Sequence, residues 1–256
     1  MDNASNNNTF MENLEYELNA RNIPFHQDGN QIHCFPHVIN ITCQTIITEL
    51  KWNNMCSIEP PPMSIPPTND ELTCWNAYLE ALKQDLIGKC WNIVASCCSS
   101  GQHQQALLLK IEEGNKTGYW KVLELYIAIH DFLLDLGQSD VLDSLALSEL
   151  QKSILQDIHQ VLQVAHLTQE LLSAEWTPTL SMALPVFETL ILKWKMLAAT
   201  IPELKHFIDL GILKLEEYVS QTRKTWLYAL AMILNPGQKF SWFNENDPTG
   251  EDEKNA

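Results

Sequence analysis

The sequence predicts a mainly α-helical protein, and three observations lead to this prediction. Apolar residues recur every three or four positions over most of the chain, most clearly between Leu147 and Leu172, as on the buried face of a helix. Helix-start signals precede several of these stripes, for example Thr68 with Glu71, the residue pair of a capping box. No stretch sustains the alternation of apolar and polar residues that marks strands, so we expect no complete sheet.

Two helices are predicted in the first fifty residues. Thr9 and Glu12 fit a capping box, so the first helix is expected to begin at this point, with residues 2–9 forming a strand end and the helix cap. The second helix is expected to start near Phe35, because a proline stands next to it and proline is favoured in the first turn.

A proline-rich segment separates these helices from the rest of the chain. Residues 59–67 contain five prolines, which lack the amide donor that regular helices and inner strands need, so the segment predicts an exposed loop. Beyond it the pattern predicts several helices, each with a stripe of apolar residues along one face. They are predicted at about 71–82, 86–96, 120–136, 147–172, 185–197, 202–218 and 226–234.

The charge of the chain bears on its partners. The formal net charge is −16, from 16 basic and 32 acidic residues. Proteins that bind DNA phosphates do so through lysine and arginine, which displace counterions. The composition therefore argues against autonomous DNA binding and fits protein partners better.

Cysteine usage and hydropathy bear on the compartment. The seven cysteines are odd in number and contain no Cys-x-x-Cys pair, which is typical of reduced thiols in a reducing compartment. No signal segment is recognisable, and no run is long and apolar enough to span a bilayer. We expect the nucleus or the cytoplasm, and no contact with a membrane.

Two short blocks in the first forty residues hold the candidate functional residues. The first is Asp2-Asn3-Ala4-Ser5-Asn6-Asn7-Asn8-Thr9, and the second is Cys34-Phe35-Pro36-His37. Taken alone, Asp2 fits an ordinary helix cap. A structural zinc site needs four ligands, and no partner pair accompanies Cys34 and His37, so these two residues fit a packed structural pair better than a zinc site.

Both blocks resemble segments of the hAT family of DNA transposases, and apolar stretches such as 178–185 and 229–236 follow in the family's order. The resemblance implies an incomplete RNase H-like α/β remnant at the N-terminus, followed by a multi-helix insertion domain. It makes Asp2 one of three carboxylates that hold catalytic Mg²⁺ or Mn²⁺ in the intact family, a metal pair that cleaves DNA. Cys34 and His37 would be structural residues on a helix beside the catalytic pocket.

The resemblance also predicts a division of the chain. Residues 1–52 would be the RNase H-like remnant, 53–69 the proline-rich disordered loop, 70–118 a helical continuation and 119–243 the helical insertion domain. Residues 244–256 are acidic and polar and are predicted to be a disordered tail.

The functional prediction is a truncated hAT-like transposase fragment. Only one of the three family carboxylates is recognisable, so we expect no catalysis by the chain alone and no cofactor held by it. One alternative is a helical module for protein interaction or dimerisation, which would bind a protein partner or a second copy through exposed helical faces. Another alternative is an incomplete gene model of an active transposase that binds DNA.

Overall fold

The computed structural model describes residues 5–30, 32–52, 68–97, 101, 105, 108–109, 147–173 and 179–237. Within these residues every regular element is a helix and no strand occurs, which confirms the prediction of a mainly α-helical chain. The helices are α1 (Ser5–Ala20), α2 (Gln27–Asn30), α3 (Phe35–Trp52), α4 (Asn69–Leu82), α5 (Leu86–Cys97), α6 (Glu149–Leu172), α7 (Ala183–Thr200), α8 (Lys205–Arg223) and α9 (Trp226–Leu234). Single 3₁₀ turns, Leu180–Met182 and Pro202–Leu204, precede α7 and α8.

Most predicted helix positions agree with these bounds, but the start of α1 and the end of α8 each differ from the prediction by four or five residues. The predicted capping box at Thr9 is wrong, because α1 already begins at Ser5 and the Thr9 carbonyl accepts a hydrogen bond from the Asn13 side chain at 2.9 Å. Of the strand end and cap predicted at residues 2–9, residues 5–9 are helical, and residues 2–4 lie outside the described residues. Serine and asparagine disfavour helix interiors by only a few tenths of a kcal/mol, about 0.5 each relative to alanine. A run of these residues therefore predicts a helix cap, although it does not prevent a helix from forming.

Three predicted segments fall outside the described residues, wholly or almost so. These are the helix at 120–136, the acidic tail at 244–256, and the proline-rich loop at 53–69, of which only the last two residues are described.

Capping boxes fix the start of two helices. At α4 the Thr68 amide donates to the Glu71 carboxylate at 2.7 Å, and the Glu71 amide donates to the Thr68 hydroxyl at 3.3 Å, as the sequence predicts. At α6 the same reciprocal pattern joins Ser148 and Gln151, at 3.0 and 3.2 Å. Each box satisfies amides that the first turn of a helix leaves without a partner.

The chain divides into two compact units, one of residues 1–46 with 161–256 and the other of residues 47–160. In the second unit, the apolar face of α4 buries Trp75, Tyr78 and Leu82. The Tyr78 hydroxyl donates to the Asp157 carboxylate on α6 at 3.0 Å. Burial raises the pKa of Asp157, and the Tyr78 hydrogen bond opposes this rise.

The first unit is built on an antiparallel hairpin of α7 and α8. Trp194 of α7 is fully buried, and its indole N–H donates to the Val161 carbonyl of α6 at 3.0 Å. Gly211 of α8 faces Ile46 of α3, and a Cβ at position 211 would lie 2.6 Å from the Ile46 Cδ1 atom. The glycine therefore lets α3 approach α8 closely.

We expect Gly211→Ala to lower the free energy of unfolding by about 1–3 kcal/mol, the range for overpacked cores. The higher helix propensity of alanine would by itself raise the free energy of unfolding by about 1 kcal/mol. A net decrease therefore indicates that the contact between position 211 and Ile46 is tight. Urea unfolding measures it. Ser220→Ala, at an exposed position of α8, is the control and should change stability by less than about 0.5 kcal/mol. Stabilisation by Gly211→Ala would contradict the close approach.

Asp157→Asn should make unfolding less favourable at neutral pH. The pKa of Asp157 is raised in the folded state, so ionisation of this carboxyl lowers the free energy of unfolding at neutral pH. This loss disappears as the pH falls through the folded pKa toward the unfolded pKa, because the carboxyl is then protonated in both states. The asparagine carbonyl can still accept the Tyr78 hydrogen bond. Urea unfolding should show an advantage of the variant near pH 7 that shrinks toward about pH 3. A difference that does not change with pH would contradict the shifted pKa.

Candidate functional site

The sequence-predicted site residues lie at or before the start of α3. Asp2 is outside the described residues. Cys34 immediately precedes α3 and its carbonyl accepts the Val38 amide at 3.0 Å, while His37 stands in the first turn; both side chains are half-buried. Their predicted role beside a catalytic pocket stays a prediction.

The residues on either side of Cys34 fix the start of α3 in the first unit. The His33 ring meets the Tyr218 ring of α8 edge-on, with centroids 5.7 Å apart. The Phe35 ring lies 6.1 Å from that of Phe187 on α7 and 6.0 Å from that of Tyr228 on α9. Such aromatic pairs add about 0.5–1.5 kcal/mol beyond the area they bury, so this block anchors α3 to three other helices.

Burial shifts the pKa values of two groups near this block toward their uncharged forms. Burial lowers the pKa of His33. Burial also raises the pKa of Tyr228 to about 12, against the opposing effect of the Thr222 hydroxyl and the His33 backbone. Both shifts favour the uncharged side chain, which suits packing.

Thiol chemistry is also disfavoured in the buried part of α3. Burial raises the pKa of the Cys43 thiol to about 11, and burial raises the pKa of Cys90 in α5 as well. Because the thiolate is the nucleophile and the metal ligand, these two cysteines are poorly suited to either role at neutral pH.

The family resemblance implies a divalent metal, which would need a set of ligands among the side chains. Mg²⁺ prefers several carboxylate and carbonyl oxygens converging on one point. Within the described ranges no group of three His, Cys, Asp or Glu residues lies close enough to hold an ion. The described residues thus offer no ligand set for the ion.

Among the described residues, the outer face of α9 is a distinctive surface feature. This nine-residue helix contains no charged residue. Its inner face buries Tyr228 and Met232, whereas large apolar side chains lie exposed on the other side. They are spaced as i, i+4, i+7 and i+8, so they share one face: Trp226 (56% exposed), Leu230, Ile233 and Leu234 (70% exposed). We call these four residues the α9 face.

A second surface feature is a shallow groove between α7 and α8, with a volume of about 360 Å³. Its floor includes Ile191 and Val219, and an ion pair crosses it near each end. Glu188 pairs with Arg223 at one end, and Lys195 pairs with Glu216 at 3.4 Å at the other. All four side chains are partly solvent-exposed.

Sequence reasoning did not single out this groove, although a signal for it exists. Glu188 and Lys195 are seven residues apart, and so are Glu216 and Arg223, a spacing of about two helical turns. In both pairs the acidic residue precedes the basic one, so two such helices joined by a short connection match opposite charges when they run antiparallel. The pairing partners become evident only once the hairpin register is known.

Neither a membrane-spanning helix among the described residues nor a related protein was found. Among the described helices, none is long and apolar enough to cross a bilayer. Comparison with models of protein families, with curated proteins and with solved structures finds no match to this chain.

Proposed function

We propose that this chain is a helical protein-association module of an hAT-like transposase, which acts in the nucleus and does not cleave DNA by itself. In this proposal α1–α3 belong to the RNase H-like remnant and the later helices to the insertion domain. The order of the sequence blocks supports the family, and the α9 face is the observation that carries the association role.

The α9 face supports association because of its composition and its spacing. Isolated exposed apolar residues are ordinary on protein surfaces, whereas contiguous apolar patches mark interaction sites. Here four large side chains share one face of a helix that has no charge along its length. Aromatic residues such as Trp226 frequently dominate binding energy in interfaces. We assign this face to contact with another transposase chain.

The charge of the chain supports the same conclusion. With 32 acidic and 16 basic residues, electrostatic attraction to DNA phosphates is weak, since that attraction comes from lysine and arginine. A protein partner that covers an apolar face needs no such positive charge.

Light scattering of the chain mixed with a full-length hAT-family transposase tests the association. We expect a complex, and we expect Leu230→Lys with Leu234→Lys to weaken it at least about tenfold, because charge would enter the apolar contact. Leu167→Lys, at an exposed leucine of α6, is the matched control and should leave binding unchanged. If no complex forms, or if the α9 variant binds as well as the unmodified chain, the association role is wrong.

A cleavage assay tests the second part of the proposal. The purified chain, incubated with Mg²⁺ or Mn²⁺ and transposon-end DNA, should leave the DNA intact, because a two-metal centre needs several converging carboxylates. Metal-dependent nicking by the chain that is lost in Asp2→Ala would contradict this expectation and would favour an active transposase.

A further inference from the structure

We propose that the α7–α8 groove is a self-association surface, on which a second copy of this chain packs around a two-fold axis parallel to the two helices. In this arrangement α7 of one copy lies on α8 of the other, and each contact occurs twice. The inference goes beyond the proposed function, because it concerns a different surface from the α9 face and names a second copy of this chain as the partner.

Charge alternates at the four corners of the groove. Along α7 the signs are negative then positive, Glu188 and Lys195, and along α8 the facing residues have the opposite signs. A rotation of 180° about an axis parallel to the helices leaves the position of each residue along the groove unchanged. It places α7 of one copy on α8 of the other. Glu188 then faces Arg223 of the second copy, and Lys195 faces Glu216 of the second copy. The face is thus complementary to itself.

These charges are accessible for such contacts. Exposed ion pairs contribute only about 0–1 kcal/mol to stability, so the hairpin is held by its buried side chains and not by its rim. Each rim group remains partly in solvent and can gain a second opposite charge when another copy arrives. Removing water from the rim strengthens these interactions.

Large exposed side chains on each helix stand across from small or recessed residues on the other helix. Leu192 of α7 is 60% exposed, and in the antiparallel register it stands across from buried Val219 and exposed Ser220 of α8. Leu213 of α8 is 58% exposed, and in the same register it stands across from Ala198 and Ala199. When α7 of one copy lies on α8 of the other, each protruding leucine therefore meets a small or recessed residue.

The alternative two-fold axis, across the helices, fits less well. It would place α7 on α7, so that the two Leu192 side chains collide while the recessed Val219 positions face each other across a gap. Charge alone permits either axis, because the four signs alternate in both directions. Shape therefore selects the axis parallel to the helices.

Sedimentation velocity over a range of concentrations, at about 0.15 M salt, tests the proposal. The Leu230→Lys, Leu234→Lys variant serves as the background, so that any contact through the α9 face is removed. We expect this protein to dimerise, and we expect Leu192→Glu to weaken the dimer at least about tenfold. Leu167→Glu, the same change at an exposed leucine outside the groove, should have no effect.

Charge reversal in trans tests the arrangement itself. Lys195→Glu and Glu216→Lys should each weaken the homodimer, because like charges would meet across it. Mixing the two variants should restore association, since Glu at 195 in one copy then faces Lys at 216 in the other, while the native residues supply the second contact. A purely intramolecular role of the ion pair cannot produce this rescue. Circular dichroism confirms that both variants are folded.

The outcomes separate this inference from the proposed function. A background protein that remains a monomer up to about 1 mM, or a mixture that shows no rescue, overturns the groove dimer and leaves the role of the α9 face intact. A dimer that is lost with Leu192→Glu and rescued in the mixture supports the groove, even when the α9 variant binds the full-length transposase normally.

Discussion

The first compact unit depends on the packing of α7 against α8 around Trp194. This side chain is fully buried, and its single donor is satisfied by the Val161 carbonyl at 3.0 Å. A buried donor without a partner costs about 1–3 kcal/mol, so the hydrogen bond fixes where α6 passes over the hairpin. The α7–α8 hairpin positions both surfaces to which we assign association. The groove is formed by the hairpin itself, and the α9 face follows directly after α8.

Local sequence signals predicted most helices well where caps and breakers are strong. The bounds of α9 were predicted correctly because an apolar run without charge ends at Asn-Pro-Gly, where the helix cannot continue. The capping box of Ser148 and Gln151 also follows a readable pattern, although sequence reasoning passed over it. The start of α1 was misplaced because propensity is a weak guide when the residues concerned tolerate both a cap and a helix.

Contacts distant in sequence could not be predicted, for a physical reason. Periodicity indicates which face of a helix is buried but not which helix covers it. His33 meets Tyr218, and Phe35 meets Phe187 and Tyr228, and no local pattern specifies these partners. The same limit applies to the α7–α8 groove, whose chemical character depends on register. The family resemblance predicts functional residues at Asp2, Cys34 and His37, whereas the α9 face and the groove lie on α7, α8 and α9.

The close approach at Gly211 has a consequence for how this sequence can diverge. The space that a β-carbon at position 211 would need is occupied by the end of the Ile46 side chain. The two positions are far apart in the chain, yet they share one volume of the core, whose density leaves little slack. Related sequences should therefore substitute them together, with a bulkier residue at 211 accompanied by a shorter one at 46. This coupled pair would be an evolutionary trace of the α3–α8 contact.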